Sequence, residues 1–205
     1  DNVALGNTAL DSVEAGGINN VAIGDNAATA ITTGDNNVAI GKDALLSTTT
    51  SANNVAIGSF SLDANTTGSS NTAVGRNSLS ANIDGVYNSA VGHNSLASNT
   101  TADNNTAIGY SALVSNTTGA SNTALGFSAL NVNTTGASNV AVGKDALLKN
   151  TTASNNTAVG MLSLACNTTA GINLGIGNCA LYFNTTGSQN TAIGLNSLRA
   201  NTTAS

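Results

Sequence analysis

Charged and aromatic side chains are scarce in this sequence, and proline and tryptophan are absent. Only 7% of the 205 residues are charged, 3% are aromatic, and the net charge is −5. Disordered chains usually combine low hydrophobicity with a high net charge, so this composition favours an ordered chain. No apolar run approaches the ~18 residues of a transmembrane helix, and the sequence therefore predicts no membrane span.

Basic residues are too few and too scattered to form a patch. They stand at Lys42, Arg76, Lys144, Lys149 and Arg199. Proteins that bind nucleic acid neutralise its phosphates with clustered Lys and Arg. The acidic balance and the scattered cations therefore argue against a nucleic-acid partner.

A unit of 17 residues recurs along the whole chain. Counted from its first Asn, position 1 is always Asn, position 5 is always Gly, and position 4 is always Ile, Val or Leu. Position 3 is Ala except for Gly175, and position 9 is Leu except for Ala28. Only the first unit is longer, with 18 residues. The units begin at Asn2, Asn20, Asn37, Asn54, Asn71, Asn88, Asn105, Asn122, Asn139, Asn156, Asn173 and Asn190.

The length of the unit predicts the architecture. Helix-hairpin repeats need roughly 33 to 47 residues, so 17 residues are too few. The short run before each Gly is rich in β-branched residues, which is typical of a strand. We therefore predict an all-β fold, a parallel β-solenoid of twelve rungs of ~17 residues that forms a single repeat domain over residues 1–205. Rungs stacked at ~4.8 Å would give a rod of roughly 58 Å.

Equal positions of a stacked solenoid lie above one another and form columns. We expect the apolar residues at positions 4 and 9 to line the inside of the coil, and the small Ala at position 3 to face the other way. Gly at position 5 predicts a corner with a positive φ or a close backbone contact. Asn at position 1 predicts a ladder of side-chain amides. Asn105, Gly109, Asn122, Gly126, Asn139 and Gly143 represent these structural ladders.

Residues that carry chemistry do not form a site in this sequence. His93 is the only histidine and occupies the variable position 6, so we interpret it as a surface residue. No base recurs at a fixed offset from the many serines, which gives no support to a nucleophilic triad. Cys166 and Cys179 lie in different columns of adjacent units, which allows a disulfide without indicating one, and two cysteines do not make a metal site. The sequence predicts no catalytic, cofactor or metal site, and hence no enzyme.

The triplet Asn-Thr-Thr recurs at positions 12 to 14 and has three interpretations. It is a structural turn, a sequon for N-glycosylation in a secreted protein, or one outward column of an ice-binding threonine array. Of these we favour the turn, although glycans on some rungs remain the main alternative. The candidate glycosylation sites, with two sequons outside the triplet at residues 104 and 155, are Asn65, Asn99, Asn104, Asn116, Asn133, Asn150, Asn155, Asn167, Asn184 and Asn201.

The core of the unit resembles a known family of surface proteins. Asn105-Thr106-Ala107-Ile108-Gly109-Tyr110-Ser111-Ala112-Leu113 is similar to the head repeats of YadA-like trimeric autotransporter adhesins. It is also similar to the N-T-A-x-G-Y-x-A-L arrays of viral tail-fibre and environmental surface proteins. This resemblance covers all twelve units. It implies a left-handed parallel β-roll, commonly a homotrimer, at an extracellular, virion or cell surface.

Two functions follow as expectations. The first is a structural segment of an extracellular fibre that self-associates, either end to end as a filament or as a homotrimer. The chain begins at position 17 of one unit and ends at position 16 of another, so the end of one copy would meet the start of the next in register. The alternative is an adhesin or tail-fibre head that binds a cell-surface glycan. Such a head should gather outward aromatic residues, for which the candidates are Tyr110, Phe127, Tyr182 and Phe183.

Overall fold

The computed structural model describes residues 1–14 and 16–205, which form two compact units. Unit 1 is Asp1–Asn104 and unit 2 is Asn105–Ser205. The boundary falls between two repeats, so each unit holds six of them. Each described unit contains strands and turns but no helix. The same kind of rung recurs in both units.

Each repeat contributes one strand of three residues, formed by positions 2 to 4. Unit 1 contains β1 (Val3–Leu5), β2 (Val21–Ile23), β3 (Val38–Ile40), β4 (Val55–Ile57), β5 (Thr72–Val74) and β6 (Ser89–Val91). Unit 2 contains β7 (Thr106–Ile108), β8 (Thr123–Leu125), β9 (Val140–Val142), β10 (Thr157–Val159), β11 (Leu174–Ile176) and β12 (Thr191–Ile193).

The strands of each unit pair in chain order, parallel and in register. Thr106 pairs with Thr123 and Thr123 pairs with Val140, so equal positions of successive rungs lie side by side. The same register joins the strands of unit 1. This confirms the predicted all-β parallel solenoid with rungs of about 17 residues.

Glycine at position 5 forms the corner that follows each strand. Gly109 and Gly126 have φ of 135° and 141°, in a region that residues with a Cβ rarely adopt. A Cβ on Gly126 would lie 2.6 Å from the carbonyl oxygen of Gly143 on the next rung. The prediction of a positive φ and a close backbone contact is confirmed on both counts.

The inside of the coil is lined by Ala at position 3, Ala or Ser at position 8, and Leu at position 9. Ala124, Ala129 and Leu130, for example, have no solvent-exposed area. Gly175 shows which residues meet there, because a Cβ on it would lie 2.7 Å from Ser163 Oγ and 3.4 Å from Leu164 Cδ1. Position 3 therefore packs against positions 8 and 9.

Our prediction that position 4 lines the coil is wrong. Ile108 at this position is 42% exposed, whereas the neighbouring Ala107 is fully buried. The strand alternates as expected, but its small residue faces inward and its large residue faces outward. The physical reason is space, because position 3 lies directly against positions 8 and 9 and has room only for a methyl group. Leu at position 9 is buried as predicted, for example Leu113.

Three positions of the rung other than position 5 have left-handed backbone geometry. Positions 7, 9 and 17 have φ of 46–62°, as in Ser128, Leu130 and Ser138. This conformation costs roughly 1–2 kcal/mol for an L residue. Complete burial of a leucine side chain contributes about 1.5–3 kcal/mol, and the Leu130 backbone N–H also donates to Ala146 O of the next rung at 3.0 Å. These contacts offset the strain at position 9.

Candidate interaction surface

The outward side of the strands forms one surface of the coil. It consists of positions 2 and 4 of each rung, which we call the strand face. Position 4 is apolar in every rung, and position 2 is Val, Leu, Thr or Ser. The twelve strands thus place no charged residue on this face, from Val3 and Leu5 to Thr191 and Ile193. Sequence reasoning placed position 4 inside the coil and missed this surface.

Position 6 widens the strand face in unit 2. Tyr110 and Phe127 stand on successive rungs, are 51% and 50% exposed, and stack with ring centroids 5.2 Å apart. Lys144 Nζ lies 5.8 Å from the centroid of the Phe127 ring, a cation–π contact. Met161 follows in the same column and is also exposed. The variable column is therefore outward, as predicted, and it carries an apolar ladder on these rungs.

A second aromatic pair lies elsewhere in unit 2, at positions 10 and 11. Tyr182 and Phe183 meet edge to face with their centroids 4.6 Å apart. The guanidinium of Arg199 lies 5.6 Å from the Tyr182 ring and 5.2 Å from the Phe183 ring. The four aromatic residues named from the sequence thus form two separate pairs and do not form one cluster.

The Asn column at position 1 is a ladder that combines hydrogen bonds of side chains with hydrogen bonds of the backbone. Asn122 Oδ1 accepts a hydrogen bond from the backbone N–H of Asn139 at 3.0 Å and from its Nδ2 at 3.1 Å. Asn122 Nδ2 crosses the coil and donates to Gly136 O at 2.8 Å. Asn105 and Asn139 repeat this crossing bond to Gly119 O and Ala153 O. Most hydrogen bonds of this ladder join a side chain to the backbone, whereas we predicted hydrogen bonds between side-chain amides.

A true amide ladder lies at position 12, the first residue of the Asn-Thr-Thr triplet. Asn133 Nδ2 donates to Asn116 Oδ1 at 2.9 Å and to Gly136 O at 2.9 Å. Asn150 Nδ2 donates to Asn133 Oδ1 at 2.8 Å. Earlier rungs place Ile31 and Thr48 at this position, also fully buried. Position 12 is therefore part of the interior.

This ladder decides where a glycan could be attached. The acceptor atom of N-glycosylation is Asn Nδ2, and at seven candidate sites the side chain is fully buried: Asn65, Asn99, Asn116, Asn133, Asn150, Asn167 and Asn184. Nδ2 of Asn201 also donates inward, to Asn184 Oδ1 and Ala204 O. The folded coil has no space for a sugar on these atoms. Of the ten candidates, only Asn104 and Asn155 are exposed.

The two threonines of the triplet differ in their roles. Thr134 Oγ1 donates to Thr151 O of the next rung at 3.1 Å, whereas Thr135 is exposed. Adjacent threonines thus differ in exposure, although they lie in a bend and not in a strand, and the triplet supplies one outward Thr column. The triplet forms a structural turn, with Asn inward, the first Thr hydrogen-bonded along the coil, and the second Thr outward.

Two aspartates have shifted pKa values, in opposite directions. A hydrogen bond from the Lys42 ammonium, with a second from Asn26, holds the pKa of Asp43 below its ordinary value of 3.8. Partial burial raises the pKa of Asp63 above that value. One oxygen of Asp63 is buried without a hydrogen-bond partner. Folding therefore favours the Asp43 carboxylate and disfavours the Asp63 carboxylate.

The remaining sequence candidates stay apart. Cys166 and Cys179 are free thiols, each half-buried. Within residues 1–14 and 16–205, no group of three or more His, Cys, Asp or Glu side chains could hold a metal ion. The same residues contain no helix of the length and apolar character needed to cross a membrane.

Comparisons with known proteins do not assign this chain to a family. No protein-family model, no curated protein and no solved structure matches it. Its function is therefore inferred from the geometry of the coil and of its strand face.

Proposed function

We propose that this chain is a structural segment of an extracellular fibre, in which copies associate with one another through the strand face. The observation that carries the proposal is the absence of charge from positions 2 and 4 of every rung, together with an outward apolar residue at position 4. Outward positions of a solvated sheet usually carry polar side chains. The cores of protein interfaces, in contrast, are depleted of charged residues.

The period of the strand face supports a second copy of the chain as its partner. The side chains at position 4 recur once per rung, at the spacing of parallel strands, about 4.8 Å. Only a surface with the same spacing can interdigitate with this face over many rungs, as identical stacks do in dry β interfaces. Another copy has that spacing and is free of charge at the same positions.

The interior of the coil supports a structural role. From residue 65 onward, neighbouring rungs are joined by backbone pairing, by the Asn columns at positions 1 and 12 and, except at Ile83, by the hydroxyl ladder of the first Thr. A repeat of this kind gains stability from its nearest neighbours and needs no globular core. These properties suit a segment that extends a fibre rather than one that carries an active site. We propose no catalytic activity.

Two substitutions on the strand face test the proposal. Leu125→Lys with Val142→Lys places two charges on adjacent rungs of the face. Thr135→Lys with Thr152→Lys adds the same charges to the outward Thr column and serves as the matched control. We expect wild type and control to self-associate in sedimentation velocity and to form fibres in electron micrographs, and the face variant to remain monomeric with an unchanged circular dichroism spectrum. Equal association of all three proteins would refute the proposal.

A second candidate function is the binding of a cell-surface glycan by an adhesin or tail-fibre head. The stacked pair of Tyr110 and Phe127 favours it, because exposed aromatic rings offer apolar area with little loss of side-chain entropy. A glycan array with Tyr110→Ala and Phe127→Ala tests it, and Tyr87→Ala, which removes an exposed aromatic residue from unit 1, is the control. Loss of a glycan signal in the double variant alone would favour the adhesin.

A further inference from the structure

The two units carry opposite net charge. Unit 1 contains nine acidic and two basic residues, a net charge of −7, and unit 2 contains one acidic and three basic residues, a net charge of +2. Together they give the −5 of the whole chain. The strand face itself is neutral in both units, so the charges lie around it and not on it.

Most of these charges are accessible to a neighbouring molecule. In unit 2 all three cations are exposed, namely Lys144, Lys149 and Arg199. In unit 1 most acidic side chains are exposed or half-exposed, and Asp43, which is buried beside Lys42, is the exception. Lys144 at position 6 borders the strand face directly, as do Asp25, Lys42 and Arg76 at the same position of unit 1. Position 6 thus has a net charge of +1 in each unit, and the acidic excess of unit 1 comes from the other positions of its rungs.

We propose that association through the strand face joins unlike units, so that unit 2 of one copy contacts unit 1 of the next. This inference rests on the fibre function proposed above and adds the polarity of the contact. A contact between like units would set −7 against −7, whereas a contact between unlike units sets −7 against +2. Complementary net charges of two surfaces favour one orientation of the partners, and salt screens this attraction over a length of about 8 Å at physiological ionic strength.

The symmetry of such a contact explains a fibre. When the copies are staggered, so that unit 2 of one copy covers only unit 1 of the next, the interface is heterologous, and a heterologous interface that does not close into a ring produces an open filament. Each added copy leaves one unit of each kind for further growth. A contact between like units would instead favour a closed oligomer.

Matched charge reversals in one column test the polarity. Lys144→Glu and Arg76→Glu both change an exposed position 6 residue by two charges, the first in unit 2 and the second in unit 1. In a contact between unlike units, Lys144→Glu weakens association by about two- to fivefold, the range of exposed charge pairs. Arg76→Glu leaves association unchanged or strengthens it, because unit 1 becomes more acidic.

The salt dependence supplies the second measurement. Sedimentation of wild type between low and high NaCl should show weaker association as salt screens the attraction between unlike units. Stronger association in high salt, with Arg76→Glu weakening and Lys144→Glu strengthening the contact, would overturn the inference in favour of contacts between like units. That result would leave association through the strand face standing, because only wild-type association of the variant with Leu125→Lys and Val142→Lys refutes the face itself.

Discussion

Replacement of Asn133 by Ala would test whether the Asn-Thr-Thr triplet is an interior ladder. The side chain is fully buried and takes part in three hydrogen bonds, to Asn116 Oδ1, to Gly136 O and from Asn150 Nδ2, with lengths of 2.8–2.9 Å. A typical intramolecular hydrogen bond contributes about 1 kcal/mol net. Asn133→Ala should therefore lower the free energy of unfolding by about 3 kcal/mol. Asn122 Nδ2 still donates to Gly136 O, so that carbonyl keeps one partner.

Urea unfolding followed by circular dichroism measures this effect. The midpoint should fall while the slope of the unfolding free energy against urea stays constant, because the surface exposed on unfolding is the same. Thr135→Ala, two residues further along, is the control, and a surface substitution of this kind stays within about 0.5 kcal/mol. If Asn133→Ala and Thr135→Ala have equal midpoints, position 12 does not support the coil and the burial argument against its glycosylation is wrong.

Three further outcomes follow from the same geometry. Gly126→Ala forces a Cβ to 2.6 Å from the carbonyl oxygen of Gly143 at a φ of 141°. Calorimetry should show that the free energy of unfolding falls by roughly 3 kcal/mol, which lowers Tm by about 6–12 °C. An unchanged Tm would contradict the corner geometry. Asp63 has a raised pKa, so its burial costs stability progressively as pH rises from 3.8 through the raised pKa, whereas the lowered pKa of Asp43 contributes stability above 3.8 that is lost as pH falls through the lowered pKa. At neutral pH Asp63→Asn should therefore stabilise and Asp43→Asn destabilise, and both differences should vanish in acid; effects of the same sign would be inconsistent with these shifts. Mass spectrometry of peptides from secreted material should find any N-glycan at Asn104 or Asn155, and a glycan on a buried position 12 Asn would contradict the structure.

Several features of the fold could be predicted because they depend on local geometry and period. Gly at position 5 is required wherever φ is positive and a backbone passes closely, and this holds at Gly109 and Gly126. The in-register pairing of strands follows from the strict 17-residue spacing. The sequence also indicates that the Ala at position 3 faces inward, because a column that accepts only Ala and one Gly has little space. The large apolar residue at position 4 is the competing signal, and it favoured the wrong face of the strand.

The period, the strands and the corners of this protein can be derived from its sequence alone, because each depends on contacts within one rung or between equal positions of neighbouring rungs. Alternation divides a strand into two faces, but only the path of the other residues in the rung decides which face is enclosed. Once the chain brings positions 8 and 9 against position 3, as seen at Gly175, the larger residue must face outward. The closing of the rung also places Asn133 in an interior ladder, although the sequence made it a candidate glycan acceptor. The same triplet is a sequon when it is exposed and part of the core when it is enclosed.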